Sequence, residues 1–140
     1  MHRVFCELLI KKAFGKCRSN VRVPKGYEFP GIENISVGNH VAFGSGLKIL
    51  TTRAKVSIGN DIMFGPKVTI ITGSADDFFT DKDKLPENNQ NVILEGDNWI
   101  GANVTILKGG RIGYGAVVAT GSLINHGMPP FSIWGYRQNI

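Results

Sequence analysis

Apolar residues recur every six positions between Val92 and Ile124, where Leu94, Ile100, Ile106, Ile112, Val118 and Ile124 form an unbroken series. A period of six is neither the 3.6 of a helix nor the 2 of a plain strand. It describes a short strand followed by a turn, repeated. The same spacing runs back through Ile70, Phe64 and Ile58, through Ile49, Phe43 and Val37, and through Phe29 and Val23. The residue two places earlier is usually small or apolar: Val21, Tyr27, Ile35, Val41, Leu47, Val56, Ile62, Val68, Val92, Val104 and Ala116. Each hexad reads inward, outward, inward, then a corner. Gly38, Gly44, Gly59 and Gly65 follow the second inward residue, where a turn with positive φ suits glycine.

The interruptions define the cross-section. The step lengthens to eight from Tyr27 to Ile35, nine from Leu47 to Val56 and twenty-four from Val68 to Val92. Three hexads lie between successive breaks, so the extra residues fall at one corner of a three-sided coil. The spacing predicts an all-β triangular prism of stacked parallel coils. Counting from Val21 to Ile124 gives four to five coils, about 20 Å tall at the usual strand spacing. The first insertion, Gly31 to Asn34, is a tight corner, and the second, Thr51-Thr52-Arg53, a short bulge. The third, Thr72-Asn91, is a long loop, and long loops on rigid scaffolds tend to carry function.

A chain of 140 residues forms one domain. Its expected parts are a helical cap over 1–19, coils over 20–126 and an extension over 127–140. In residues 2–14, Phe5, Leu8, Leu9 and Lys12 share a helical face. This segment is expected to close the open end of the prism, where unpaired strand edges invite association. The alternative is a basic helix lying on a membrane surface. The charge after the apolar run is wrong for a signal peptide, and no run is long enough to span a bilayer. Cys6 and Cys17 accordingly read as free thiols in a reducing cytoplasm. The net charge of +5 comes largely from Arg3, Lys11, Lys12, Lys16, Arg18, Arg22 and Lys25. They show no regular alternation with aromatic residues and no reading helix, which argues against nucleic acid and for a polyanionic small molecule or an anionic surface.

The long loop holds Asp76, Asp77, Asp81, Asp83 and Glu87. An EF-hand fails there, because Leu85 and Pro86 occupy the fifth and sixth positions counted from Asp81. Phe78 and Phe79 are expected to pack on a neighbouring surface, in the chain or in another subunit. Pro129 and Pro130 should end the ladder, since neither can donate a hydrogen bond. Phe131, Ile133 and Trp134 should then fold back over the last coil.

The stretches IGNDIMFGPKVTIITG, KLPEN, GDNWIGANVTILKG and GSLINHGMPPFSIWG, in that order, resemble the hexapeptide-repeat acyltransferases. The resemblance is to the sugar, maltose and galactoside O-acetyltransferase branch and covers roughly Asn20 to Gly135. It implies a left-handed parallel β-helix, a homotrimer with active sites between neighbouring prisms, acetyl-CoA as donor and a sugar or related hydroxyl as acceptor. It also implies a loop histidine as general base, shortly after the Thr-Gly of the third coil. Here the stretch is Thr72-Gly73-Ser74-Ala75-Asp76, with Ala75 at the expected base position. Candidate substitutes are Asp76 or Asp77, either of which would need a raised pKa, and His126. By the same resemblance Trp99 and Ala102 lie beside the pantetheine arm, Thr120 and Gly121 offer backbone groups, and Asn125 and His126 stand near the CoA end. Their bland reading is that they simply build the repeat. Asn98 and Gly110 at inward positions and Glu95 at a glycine corner depart from the family pattern, and each is expected to loosen the core locally.

The resemblance therefore assigns the chain to the acetyl-CoA-dependent O-acetyltransferases. The alternative is a catalytically silent trimeric prism, either a CoA-binding pseudoenzyme or a scaffold. No metal is expected: His2, His40 and His126 are too scattered for a zinc site like that of the carbonic anhydrases sharing this prism. Outward Thr-x-Thr ranks, which an ice-binding solenoid would need, are missing.

Overall fold

A computed structural model describes residues 13–24, 26–51, 53–73 and 90–135. They form a left-handed parallel β-helix of three-sided coils. The first face stacks β1 (Lys16–Cys17), β3 (Ile35–Val37), the start of β6 (Val56–Phe64), the start of β8 (Val92–Ile100), β10 (Arg111–Ile112) and β13 (Gly127–Met128). The second stacks β2 (Val21–Arg22), β4 (Val41–Ala42), the ends of β6 and β8, β11 (Val117–Val118) and β14 (Ile133–Trp134). The third stacks β5 (Lys48–Leu50), β7 (Thr69–Ile71), β9 (Thr105–Ile106) and β12 (Leu123–Ile124), with a bridge from Glu28 to Lys48 beneath them. The helical cap expected over residues 1–19 is corrected at its end, where Lys16–Cys17 already form a strand of the first face; residues 1–12 lie outside the described residues.

Register accounts for every insertion. A coil of three hexads needs 18 residues, and the pairing of Ile93 with Arg111 has that offset. The pairings Val21 with Val41, Ile35 with Val56 and Val56 with Val92 have offsets of 20, 21 and 36. The excesses of 2, 3 and 18 match the three insertions. The pairing of Arg111 with Gly127 has an offset of 16, because the third corner of the last coil is two residues shorter.

The inward residues form one buried column, including Ile35, Leu47, Ile49, Ile70, Leu94, Ile106, Ile112 and Ile124. At its lower end Phe14, Phe29, Phe43 and Phe64 stack with ring centroids 5.3 to 5.9 Å apart. Tyr27, which the hexad spacing placed inward, is instead 37% exposed and lies on Phe29 at 4.9 Å. The ladder extends further than the hexads suggested, since β1 precedes Val21. The expectation that Pro129 and Pro130 end it is corrected, for β13 and β14 continue the pairing on both sides of them. The prolines occupy a corner at which their neighbours supply the bonds. Gly113 N–H donates to Met128 O at 3.1 Å, and Phe131 N–H to Tyr114 O at 2.8 Å. Ile133 and Trp134 are therefore the next rung, with no fold-back.

The corner glycines are needed for a different reason from the one inferred above. Positive φ falls two residues later, at His40 (55°), Gly46 (71°), Asp61 (58°), Lys67 (58°) and Asn103 (55°). Gly38, Gly44, Gly59 and Gly65 instead sit directly under the next coil. A Cβ on Gly44 would collide with the carbonyl of Gly65, and one on Gly65 would stand 2.7 Å from Ala102 N. A methyl group there meets backbone that cannot rotate away. Gly44→Ala should therefore lower unfolding free energy by about 1–3 kcal/mol, the range for overpacking. An unchanged midpoint in urea would show that the coils can part at no cost.

Candidate functional site

The long insertion leaves and rejoins the prism at the third edge. Thr72 is fully buried, and its N–H donates to Leu50 O at 3.2 Å. Gln90 N–H donates to Thr72 O at 3.2 Å, and Asn91 Oδ1 accepts from Lys55 N–H at 2.8 Å. The two ends of the insertion are thus pinned side by side. Ala75, Asp76, Asp77, Phe78 and Phe79 lie outside the described residues.

Higher on the same edge come Lys108 and Gly109, then Asn125 and His126. A Cβ on Gly109 would stand 2.5 Å from Gln90 Oε1, so the returning strand passes against this corner. His126 lies two strand spacings above Thr72, about 10 Å along the axis. Its Nδ1 is 3.0 Å from Asn125 Oδ1, and its ring meets Trp134 edge to face at 4.9 Å. With the amide oxygen accepting from Nδ1–H, the lone pair of the neutral ring is left on Nε2. Trp134 shares the inward register of Val118, so it covers the upper end of the core. The two-residue shortening of the last coil hid this placement in the sequence.

A second group gathers at the edge between the second and third faces. Gly121 N–H donates to Ala102 O at 2.9 Å, which stacks Thr120 and Gly121 over Ala102 and Asn103. Ala102 is half-buried and Thr120 exposed, while a Cβ on Gly121 would touch nothing within 4 Å. Small residues leave this corner's backbone open to a narrow ligand such as a pantetheine arm. Trp99, 59% exposed, lies just before the corner on the second face. It belongs to an outward row of Ala42, Met63, Trp99, Val117 and Ile133, the last 79% exposed. The structure thus joins the loop root to His126, and Trp99 to Ala102, Thr120 and Gly121. It keeps the two groups on different edges: Thr120 and His126 are six residues apart, at most about 20 Å of extended chain. His40 stands apart from both, exposed at the first edge with Nδ1 3.4 Å from Asp61. Among the described residues no cluster of three metal-ligating side chains occurs.

The departures around Trp99 support one another instead of loosening the core. Asn98 is buried and fully bonded: Nδ2 donates to Gly113 O at 2.9 Å and Ala116 O at 3.0 Å, and Oδ1 accepts from Gly96 N–H at 3.1 Å. Glu95, at the glycine corner, accepts from Arg111 Nε at 2.7 Å and from Tyr114 N–H at 2.9 Å. Gly96, at φ 137°, takes the bend that lets Glu95 turn outward. Gly110 remains buried, and its N–H donates to Leu107 O at 3.0 Å. The Arg111 hydrogen bond, then that from Tyr114 N–H, lowers the pKa of Glu95 below its ordinary value. A depressed carboxylate pKa adds stability that is present above the unfolded value and lost as pH falls through the folded one. Urea melts of wild type and Glu95→Gln should therefore differ at neutral pH and converge on acidification. A gap that stays constant with pH would assign the loss to packing.

No family model matches the chain. The 2,3,4,5-tetrahydropyridine-2,6-dicarboxylate N-acetyltransferase of Staphylococcus aureus is 50% identical over 38 residues, which is 27% of this chain. The matched segment covers only 16% of that relative's length. Among solved structures, a hexapeptide-repeat-containing acetyltransferase from Vibrio cholerae superposes with a TM-score of 0.80 at 27% identity, over 96% of this chain and 76% of its own. That acetyltransferase is also known complexed with acetyl-CoA, and there the match has a TM-score of 0.80 at 26% identity, over 95% and 72% of the two chains. A galactoside acetyltransferase in complex with coenzyme A superposes with a TM-score of 0.79 at 24% identity, over 93% of this chain and 64% of its own.

Proposed function

Because this chain has the fold of the hexapeptide-repeat acetyltransferases, we propose that it transfers an acetyl group from acetyl-CoA to a hydroxyl of a sugar or related small molecule. The observation that carries this reading is the likeness, over nearly the whole chain, to an acetyltransferase known with acetyl-CoA. The open corner at Ala102, Thr120 and Gly121, flanked by exposed Trp99, suits the donor. Lys67, exposed at the same corner, adds a cation for the phosphates of CoA. Acetyl-CoA supplies an activated thioester. The acceptor hydroxyl attacks its carbonyl carbon, a C–O bond forms, the C–S bond breaks and CoA leaves as the thiol.

A hydroxyl needs a base to take its proton at that step. The family's loop histidine is replaced by Ala75, so the proton must go elsewhere. His126 Nε2 is one acceptor, held by Asn125 and Trp134. Asp76 and Asp77 are the others, three and four residues beyond Gly73 and so within about 14 Å of the loop root. The donor edge and the acceptor edge are one face apart within a chain. A homotrimer, in which the edge of one prism meets the other edge of its neighbour, would complete the site. The outward row of exposed Met63, Trp99 and Ile133, with half-buried Val117 between the last two, offers apolar surface for such packing. A second reading, a catalytically silent trimer that holds CoA or serves as a scaffold, is favoured by Ala75 alone.

Calorimetric titration should show acetyl-CoA binding near one per chain in the micromolar range. Trp99→Ala should weaken it by about tenfold, as expected for loss of one apolar contact surface. Absence of heat at millimolar acetyl-CoA would remove the donor reading. Light scattering should return the mass of a trimer, and a monomer at micromolar concentration would leave the two edges without a shared cleft.

A further inference from the structure

The corners of the third edge are not alike. From β9 to β10 the corner takes four residues, Leu107 to Gly110, but from β12 to β13 it takes two, Asn125 and His126. The short corner is bonded to the coil below at both ends. Leu107 N–H donates to Ile124 O at 2.8 Å, and Arg111 N–H to His126 O at 3.2 Å. It therefore cuts across the longer corner beneath it, and a Cβ on Gly127 beside it would touch nothing within 4 Å. His126 thus stands over the edge from which the long insertion springs, with open space at its side.

Two neighbours fix the ring. Asn125 Oδ1 lies 3.0 Å from Nδ1, and Trp134 reaches across from the second face, with ring centroids 4.9 Å apart and planes at 71°. An exposed imidazole without such a partner favours the proton on Nε2, whereas donation from Nδ1–H to the amide oxygen leaves the lone pair there. No other described side chain at the second or third edge offers this. Glu33, in the 3-10 turn Ile32–Asn34 two corners below the root of the insertion, is the one carboxylate among the described residues of those edges. His40 stands at the first edge with Asp61 against its Nδ1. Glu95 is held by Arg111 and then by Tyr114 N–H, which lower its pKa and make it a poor proton acceptor.

We propose that the short corner is where this chain has rebuilt its base: His126 Nε2 takes the acceptor's proton, and Asn125 and Trp134 are the positioning residues that hold the ring in its Nδ1–H tautomer. The assignment rests on the transfer reading above and selects one of its three candidate bases. An imidazole takes and returns a proton near neutral pH, whereas an aspartate such as Asp76 or Asp77 does so only with a raised pKa. As the acceptor oxygen attacks the thioester carbonyl carbon, its proton passes to Nε2 and the C–O bond forms. The C–S bond then breaks, Nε2–H returns the proton to the departing sulfur, and the imidazole ends neutral.

The first test is the nitrogen-15 spectrum of the His126 ring in the labelled full chain, identified by the signals lost in His126→Gln. The neutral ring should show Nδ1 protonated and Nε2 bare. Asn125→Leu should move the proton to Nε2, and Asn125→Asp, which still accepts, should keep the wild-type pattern. The second test is release of CoA thiol from saturating acetyl-CoA with water as the acceptor. His126→Gln should lower the rate by about a hundredfold and Asn125→Leu by about tenfold, on the scale of a lost and a misdirected general base. Trp134→Leu should also slow release, and Trp134→Phe, which keeps an aromatic wall, should recover most of it. A proton on Nε2 in the wild type, or a tautomer that Asn125→Leu leaves unchanged, overturns the role of Asn125. Equal rates for Trp134→Leu and Trp134→Phe overturn that of Trp134. A wild type that binds acetyl-CoA yet releases thiol no faster than His126→Gln overturns the base. Absence of acetyl-CoA binding removes the donor reading and the base with it, while the ring spectrum still reports the tautomer.

Discussion

Everything in this molecule depends on how closely one coil can lie on the next. Parallel coils are joined by backbone hydrogen bonds that run up every face and continue through the corners, as from Gly65 N–H to Ile100 O at 2.7 Å and from Gly101 N–H to Val118 O at 2.8 Å. At the first two edges most of these corners hold a residue with no side chain to separate the two backbones, although Ala119 N–H still reaches Trp134 O at 2.7 Å. The glycines at 38, 44, 59, 65, 101 and 113 are these residues. The inward Val, Ile, Leu and Phe then fall into register without further instruction, because a strand that cannot slip at its corners cannot slip between them.

The corner at Glu95 shows what a charged residue in place of glycine requires. Glu95 can stand there because Gly96 bends the chain, because Arg111 and Tyr114 N–H hold the carboxylate, and because Asn98 bonds the Gly96 N–H from inside. The other buried polar groups are bonded as well. Thr51 Oγ1 donates to Gly31 O at 2.7 Å, Ser122 Oγ to Ala119 O at 2.7 Å, and Thr72 N–H to Leu50 O. A buried polar residue in this prism costs little when a corner carbonyl or N–H is within reach.

Much of this was legible in the sequence. The period of six identified the strands, and the three interruptions identified the triangle and the corner that carries the loop. What escaped was of two kinds. The last coil is shortened by two residues, so Met128 and Trp134 fall off the period and looked like an extension. The meaning of Glu95 and Asn98 was hidden because each looks like a defect alone, and only the fold shows that they share Gly96 and the Gly113 to Ala116 turn. The contact of Trp134 with His126 was missed for the first reason. The separation of Trp99 from His126 by a whole face was implicit in the hexad count, since Trp99 lies in a second-face hexad and His126 follows a third-face one.

The insertion after Thr72 adds 18 residues, yet Val56 pairs with Val92 and Ile62 with Asn98 as though nothing intervened. The ladder counts whole coils and is indifferent to what hangs from a corner. Evolution can therefore exchange, shorten or rewrite that excursion in a single event without renegotiating the core or the opposite edge. In such an architecture what hangs from one corner and what the other edges present are inherited separately, and the excursion can be rewritten while every rung of the scaffold stays in place.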